Sequence, residues 1–288
     1  MKIKSNILKF VIISLIVLPL IFVGGCKKSS KDKKVDILYP NWSEGIAFTH
    51  LAKVMLEKKG YDVRITPLEP GPIYASLAKG SKDLFLDAWL PNTHKHYWEK
   101  YGDKLTKIGE SFSGGTTGIV VPEYVEIDSI KQMNNHKEKF DSKIVGIGSG
   151  AGVHKNTEKA IKKYDLDFKQ ITSSGPAMVS SLKKAVNNKE WVAITGWKPH
   201  IMWHNFDLKY LKDPKEIYPK DVCAIVSRKG FKKDFPKLTK FFKNFNLNEK
   251  QLYSLEKMIN NSDNELKATK KWYKNHKEEL KKWWNFNK

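Results

Sequence analysis

Cysteine, arginine and long apolar runs are what this sequence has least of. Cys26 and Cys223 are the only cysteines in 288 residues. Two are too few for a disulfide framework, and they stand at no zinc-ligand spacing. Cys223 lies within Val222-Cys223-Ala224-Ile225-Val226, the setting of a small buried hydrophobe. Arginine is confined to Arg64 and Arg228, although 52 basic side chains face 31 acidic ones and the formal charge is +21. Such a charge invites a nucleic-acid partner. The want of arginine, the preferred fork for bases and phosphates, argues against one, and so does the spread of lysine along the whole chain. A solvated lysine surface near an anionic envelope is the simpler account. Residues 10–23 form the one long apolar stretch, interrupted by Ser14 and Pro19. It is short for a bilayer span and suits the apolar part of a secretory signal.

Lys2, Lys4 and Lys9 give that stretch a positive start, so residues 1–25 are expected to be a targeting segment. It ends in Val23-Gly24-Gly25-Cys26, which resembles the lipobox of bacterial lipoproteins, with Gly24 an unusual residue for its place. The resemblance implies that Cys26 is lipidated and becomes the mature N-terminus, anchoring the chain to a membrane. The plain alternative is an ordinary signal peptide that happens to meet a cysteine. Loss of the three lysines before Cys26 lowers the formal charge from +21 to +18. Residues 26–34 are rich in Lys and Ser and are expected to form a solvated tether. No internal repeat follows.

The remainder alternates between strand and helix patterns. Strands are expected at 35–39, 62–68 and 84–89, with helices at 45–59 and 72–79 that stop at Gly60 and Gly80. The first helix should bury one side, the side of Ile46, Leu51, Val54, Met55 and Leu56. This βαβαβ order favours a parallel sheet. A strand at 116–121 is stopped by Pro122. A second alternating run covers strands at 143–147, 170–173 and 192–196 and helices at 155–164 and 176–186. A strand at 222–227 and then helices complete the chain. The expectation is an α/β fold of two lobes joined by two crossings. Lobe I is residues 35–120 and 224–288, and lobe II is residues 121–223. Such a layout suits a hinge.

Candidate site residues cluster at strand ends. Trp89 ends Leu84-Phe85-Leu86-Asp87-Ala88, Pro91 stops the strand, and His94 follows one short loop later. Trp42 ends a run from Val35 to Asn41, and Trp197 ends a run from Trp191 to Gly196. Three such indoles suggest an aromatic box. Between a strand and a helix stands Gly146-Ile147-Gly148-Ser149-Gly150-Ala151-Gly152-Val153-His154. Its spacing matches a dinucleotide fingerprint, a weak signal that the export segment makes weaker. Bare N–H groups at a helix start nonetheless favour an anion such as a carboxylate. A plain tight turn is the alternative. Indole faces attract a quaternary ammonium through the ring quadrupole, by roughly 0.5–2 kcal/mol each. Three faces and one anion site would therefore select a small zwitterion. No nucleophile–base pair, carboxylate dyad or metal spacing stands out, so no catalytic residue, metal or cofactor is expected. His200 is expected to hold its loop. Trp98, Trp191, Trp203 and Trp272 are assigned to packing, and the basic helix at 270–284 should pack on lobe I more readily than lie on a membrane.

Three stretches carry a further resemblance. Asp87-Ala88-Trp89-Leu90-Pro91-Asn92-Thr93-His94-Lys95, Ile194-Thr195-Gly196-Trp197-Lys198-Pro199-His200 and Lys209-Tyr210-Leu211-Lys212-Asp213-Pro214 together resemble the glycine betaine-binding proteins of ABC osmoprotectant importers. The resemblance implies a periplasmic-binding-protein-like (Venus flytrap) fold, with ligand passed to an ABC permease and its ATPase subunits. It implies an indole prism at Trp42, Trp89 and Trp197. A carboxylate site falls on the backbone N–H groups of Gly152 and Val153 and on His94. Ala151 and the extra glycines depart from the family's loop. Choline or carnitine as ligand, an exported enzyme acting on a quaternary amine, and a surface adhesion protein stay open as alternatives.

Overall fold

The computed structural model describes residues 33–285. The expected signal segment, Cys26 and all but Lys33 and Lys34 of the expected tether lie outside them. The chain runs β1 (Lys34–Tyr39), α1 (Ser43–Glu57), β2 (Asp62–Pro67), α2 (Pro70–Ala78), β3 (Leu84–Leu90), α3 (Lys95–Tyr101) and β4 (Leu105–Pro122). It continues through β5 (Lys143–Val145), α4 (Gly152–Tyr164), β6 (Lys169–Ile171), α5 (Gly175–Asn188), β7 (Ala193–Lys198), α6 (Met202–Asn205) and β8 (Leu208–Tyr210). β9 (Asp221–Arg228), α7 (Phe231–Asp234), α8 (Pro236–Asn244), α9 (Glu249–Asn260) and α10 (Glu265–Leu280) complete it.

β4 joins two sheets. Its first part pairs antiparallel with β9, and beyond β9 lie β3, β1 and β2. From Thr116 onward it pairs with β7, and beyond β7 lie β5 and β6. β8 pairs with the last residues of β4. Each lobe is thus a parallel three-strand unit extended by antiparallel strands. β4 passes from one sheet to the other at Gly114-Gly115, where Gly114 takes φ +90, a backbone region that favours glycine. The chain returns at Asp221, the first residue of β9. The stretch 105–115 was not expected as strand. Its sequence is polar and glycine-containing, and its register shifts three times against β9, which blurs any two-residue alternation.

Two further expectations are corrected. α1 is buried on most of its circumference rather than on one side, because the sheet covers one side while α9 and α10 cover the other. Trp42 does not end a strand. β1 stops at Tyr39, and Trp42 is the N-cap residue of α1.

The cores follow the lobes. In lobe II, Ile119, Val121, Ile144 and Met133 pack with Phe140 and Phe168. One face of the lobe I sheet packs Leu38, Phe85 and Val226 under Ile73, Tyr74 and Leu77 of α2. The other face holds α1 and the C-terminal helices, and this cluster runs on to Trp42, Trp89 and Trp197.

Candidate functional site: an aromatic hollow between the lobes

Where the lobes meet, a hollow of about 230 Å³, counting its mouth, is lined by Trp42, Trp89, Thr93, His94, Thr117, Ile147, Ala151, Gly152, Val153 and Trp197. All six ligand-site residues expected from the sequence line it. Trp42 and Trp197 stand with ring centroids 5.9 Å apart and planes tilted by 55°. Trp42 and His94 stand 6.2 Å apart.

Lobe I sets Trp89 and His94 through one tight turn. β3 is buried along its whole length, and the cis Leu90–Pro91 bond follows Trp89 directly. The His94 N–H donates to the Trp89 carbonyl (2.8 Å), and the Trp89 N–H donates back to His94 Nδ1 (3.0 Å). Asp221 fastens the turn from the hinge side. Its carboxylate accepts from Asn92 N–H (2.6 Å), Thr93 N–H (3.0 Å) and the Thr93 hydroxyl (2.5 Å).

The His94 bonds decide its protonation. A ring nitrogen that accepts from a backbone N–H carries no proton, so the Nδ1 of His94 is the acceptor and Nε2 carries the hydrogen. Burial lowers its pKa to about 3, which keeps the ring neutral. Nε2 is buried with no partner. His94 therefore offers the hollow one neutral, uncommitted N–H donor.

Lobe II contributes Trp197 from β7, opposite Thr117 in the ladder. The Trp197 carbonyl accepts from Trp203 Nε1 (2.7 Å). Its ring meets the edge of His200 at 4.8 Å. His200 Nδ1 accepts from Met202 N–H (3.1 Å), and burial lowers the pKa of this ring to about 3 as well. His200 thus holds the loop behind the ring.

The glycine loop serves close approach rather than an unusual backbone angle. None of Gly146, Gly148, Gly150 and Gly152 has positive φ. A Cβ on Gly152 would stand 2.0 Å from the Thr93 carbonyl oxygen of the other lobe, and one on Gly148 would stand 3.0 Å from a Glu69 oxygen. Nearby, the Tyr97 hydroxyl donates to the Gly150 carbonyl across the same seam (2.8 Å). Gly152 and Val153 open α4 behind Ala151, with no side-chain cap. Their N–H groups are among those with no intrahelical acceptor, and they carry the partial positive charge of the helix start.

Two features escaped the sequence. Trp197 Nε1 donates to Glu44 Oε1 (2.8 Å), a buried bond from lobe II to lobe I. Behind the rings, Glu44, Asp87 and Glu256 form a tier of buried acids. Burial first, then the charge of neighbouring acids, raises the pKa of Glu44 well above the ordinary carboxyl value. Burial does the same for Asp87 and lifts Glu256 to about 8. Ser43 donates to Glu256 (2.7 Å). Second, the Thr117 hydroxyl is buried in the hollow wall with no partner. A threonine inside a strand gives no signal of this. An acid two residues after a helix-capping Trp reads as an ordinary partner of the helix start.

Two α/β lobes meeting over an aromatic hollow define a two-lobed ligand receptor, and solved structures share the architecture. The chain superposes on lactococcal OpuAC in its closed-liganded conformation complexed with glycine betaine at TM-score 0.83. The two are 36% identical, and the match covers 88% of this chain and 100% of that one. The glycine/betaine/L-proline-binding protein ProX from Borrelia burgdorferi gives TM-score 0.84 at 31% identity, covering 87% and 96%. A choline binding protein complexed with choline shares the fold at 24% identity and TM-score 0.81.

Residues 33–275 match the substrate binding domain of ABC-type glycine betaine transport systems, and the chain belongs to that family. The glycine betaine/carnitine transport binding protein GbuC of Listeria monocytogenes serotype 1/2a (strain 10403S) is 38% identical over 151 residues, 51% of this chain and 50% of GbuC. The matched stretch thus spans half the length of that relative. Substrate-binding proteins of ABC importers are extracytoplasmic. Among the described residues no helix is long and apolar enough to cross a membrane.

Proposed function

We propose that this chain captures a small betaine, glycine betaine or proline betaine, and delivers it to an ABC permease for osmoprotectant uptake. The methylated ammonium sits among Trp42, Trp89 and Trp197. The carboxylate accepts from the Gly152 and Val153 N–H groups and from His94 Nε2–H. One observation carries this reading: three indoles, the unpartnered Nε2 of His94 and the uncapped start of α4, drawn from both lobes, line one small hollow. Neither lobe alone holds the whole set, so ligand favours the closed arrangement through contacts that the open one lacks. The lobes are residues 33–115 with 221–285, and 116–220, a few residues from the boundaries expected at 121 and 223. The hinge lies at Gly114-Gly115 and Lys220-Asp221. The chain acts as a receptor rather than an enzyme, a reading supported by its family, whose members are substrate-binding transport proteins. It works outside the cytoplasmic membrane, anchored through lipid on Cys26.

Intrinsic tryptophan fluorescence, titrated with glycine betaine, proline betaine, carnitine, choline and glycine, tests the ligand. A response to the first two at micromolar concentration is expected, which corresponds to about 8 kcal/mol. Choline lacks the carboxylate and leaves buried N–H donors unpaired, a loss of roughly 1–3 kcal/mol for each. Tighter binding of choline than of either betaine overturns the carboxylate assignment. A response to glycine overturns the cation box.

A further inference from the structure

One side-chain hydrogen bond between the lobes stands beside the ligand hollow, from Trp197 to Glu44. A second stands outside it. The Tyr97 hydroxyl, on α3 of lobe I, donates to the Gly150 carbonyl in the lobe II loop before α4 (2.8 Å). Tyr97 does not line the hollow. It reaches a bound solute only through what it holds.

Lobe I keeps the Tyr97 ring in a fixed place. The ring stacks on Tyr74 of α2, with centroids 5.0 Å apart and planes 16° apart. Tyr74 is wholly buried, and its hydroxyl stands 3.3 Å from His94 Nδ1. His94 meets the Tyr97 ring edge-on at 5.9 Å. Gly71, in the first turn of α2, makes room for the hydroxyl, since a Cβ there would stand 3.3 Å from it. Burial first, then the nearby Glu69 carboxylate, raises the Tyr97 pKa above its ordinary value. The hydroxyl therefore keeps its proton and donates.

Lobe II meets that ring at two points. Gly150 supplies the carbonyl, and Lys155 of α4 holds its ammonium 5.7 Å from the ring centroid. Gly150 lies two residues before the first residue of α4. The Ala151 N–H closes a turn on the Gly148 carbonyl (2.9 Å). The segment from Gly148 to Gly152 is thus short and tied down. A bond at Gly150 fixes where the Gly152 and Val153 N–H groups stand relative to His94. Both parts of the carboxylate site are referred to one aromatic stack in lobe I.

We propose that Tyr97 is a closing latch: its hydroxyl bonds Gly150 only when the lobes meet, and this bond sets how long the closed receptor keeps its solute. Tyr97 is a positioning residue, acting through Gly150 and the start of α4. The inference rests on the receptor reading for the closing motion and does not depend on which solute is captured. A bond made only on closure is absent from the first encounter, so its loss speeds release and leaves capture unchanged.

Tyr97→Phe removes the hydroxyl and keeps the ring, its stack on Tyr74 and its face toward Lys155. Stopped-flow tryptophan fluorescence with glycine betaine gives the association and dissociation rates of parent and variant. The dissociation rate is expected to rise roughly three- to tenfold, the scale of one neutral hydrogen bond, with the association rate within about twofold of the parent's. The melting temperature of the solute-free variant is expected to stay that of the parent, because the ring keeps its packing. Small-angle scattering is expected to show that saturating glycine betaine still compacts the variant. A parent-like dissociation rate overturns the proposal. So does a loss of affinity that lies wholly in the association rate, or faster release in a variant whose solute-free form is equally destabilised. If the parent responds to choline and to neither betaine, the betaine reading falls, and the same rate comparison made with choline decides the latch.

Discussion

The bond from Trp197 Nε1 to Glu44 is the point where orientation and charge can be separated. The ring belongs to lobe II and the carboxyl to the first turn of α1 in lobe I. The acid is wholly buried, and burial and its acidic neighbours raise its pKa, which shifts it toward the protonated form. In that form it orients the indole as an acceptor more than it attracts the ligand cation as a charge. Replacement by alanine leaves a buried N–H unpaired, worth roughly 1–3 kcal/mol, or about five- to more than a hundredfold in affinity. Glutamine keeps an acceptor oxygen at the same reach. Glu44→Ala is therefore expected to weaken betaine binding at least tenfold by titration calorimetry, while Glu44→Gln stays within a few-fold of the parent. Equal losses in both variants would mean that the charge, not the orientation, is what the site uses.

The turn after β3 and the loop before α4 show what can and cannot be read from pattern. Trp89, Pro91 and His94 were legible because a strand that ends in an aromatic and a proline has few other uses at a sheet tip. Trp42 and Trp197 were legible as ring donors, though Trp42 sits on a helix start rather than a strand end. The glycines of 146–152 were legible as a helix-start loop, but their purpose was not. Only the folded chain reveals that the Thr93 carbonyl arrives where a Gly152 side chain would be. The long β4 and the lobe crossing were hidden by bulges and by polar residues on a strand half exposed to solvent. Gly152→Ala tests the close approach directly. The lobes cannot meet with a carbon 2.0 Å from a carbonyl oxygen, so the α4 start and the His94 turn must part. Betaine affinity is expected to fall by a hundredfold or more with little change in melting temperature, because each lobe keeps its own core. Small-angle scattering is expected to show no compaction on adding ligand. Parent-like affinity in this variant would place the seam too far apart to matter.

Closing the molecule brings its halves together over a layer of acids that no cation among the described residues neutralises. Glu44 faces Trp197 across the seam. Asp87 has its carboxyl wholly buried beside Trp89 and Cys223. Glu256 of α9 meets Ser43 of α1 and borders clefts that also touch His200 of lobe II. Each carboxyl is raised by burial, Glu256 from 4.5 to about 8. A group whose folded pKa lies above its unfolded value holds more protons when folded, so folding is favoured by low pH. For Glu256 the stabilisation is fully present below about 4.5, declines as pH rises, and is gone above about 8, at no more than about 1.4 kcal/mol per pH unit. Thermal melts between pH 6 and pH 9 are therefore expected to show a falling midpoint. Glu256→Gln keeps the acceptor for Ser43 and removes the titration, so its melting profile is expected to be flatter than the parent's over that range. If parent and variant fall in parallel, Glu256 is not the group that titrates, and the pH response must come from Glu44 and Asp87 at the seam itself. Betaine affinity would then decline with pH in Glu256→Gln as steeply as in the parent, since Glu44 meets Trp197 across the seam whether or not Glu256 carries a proton.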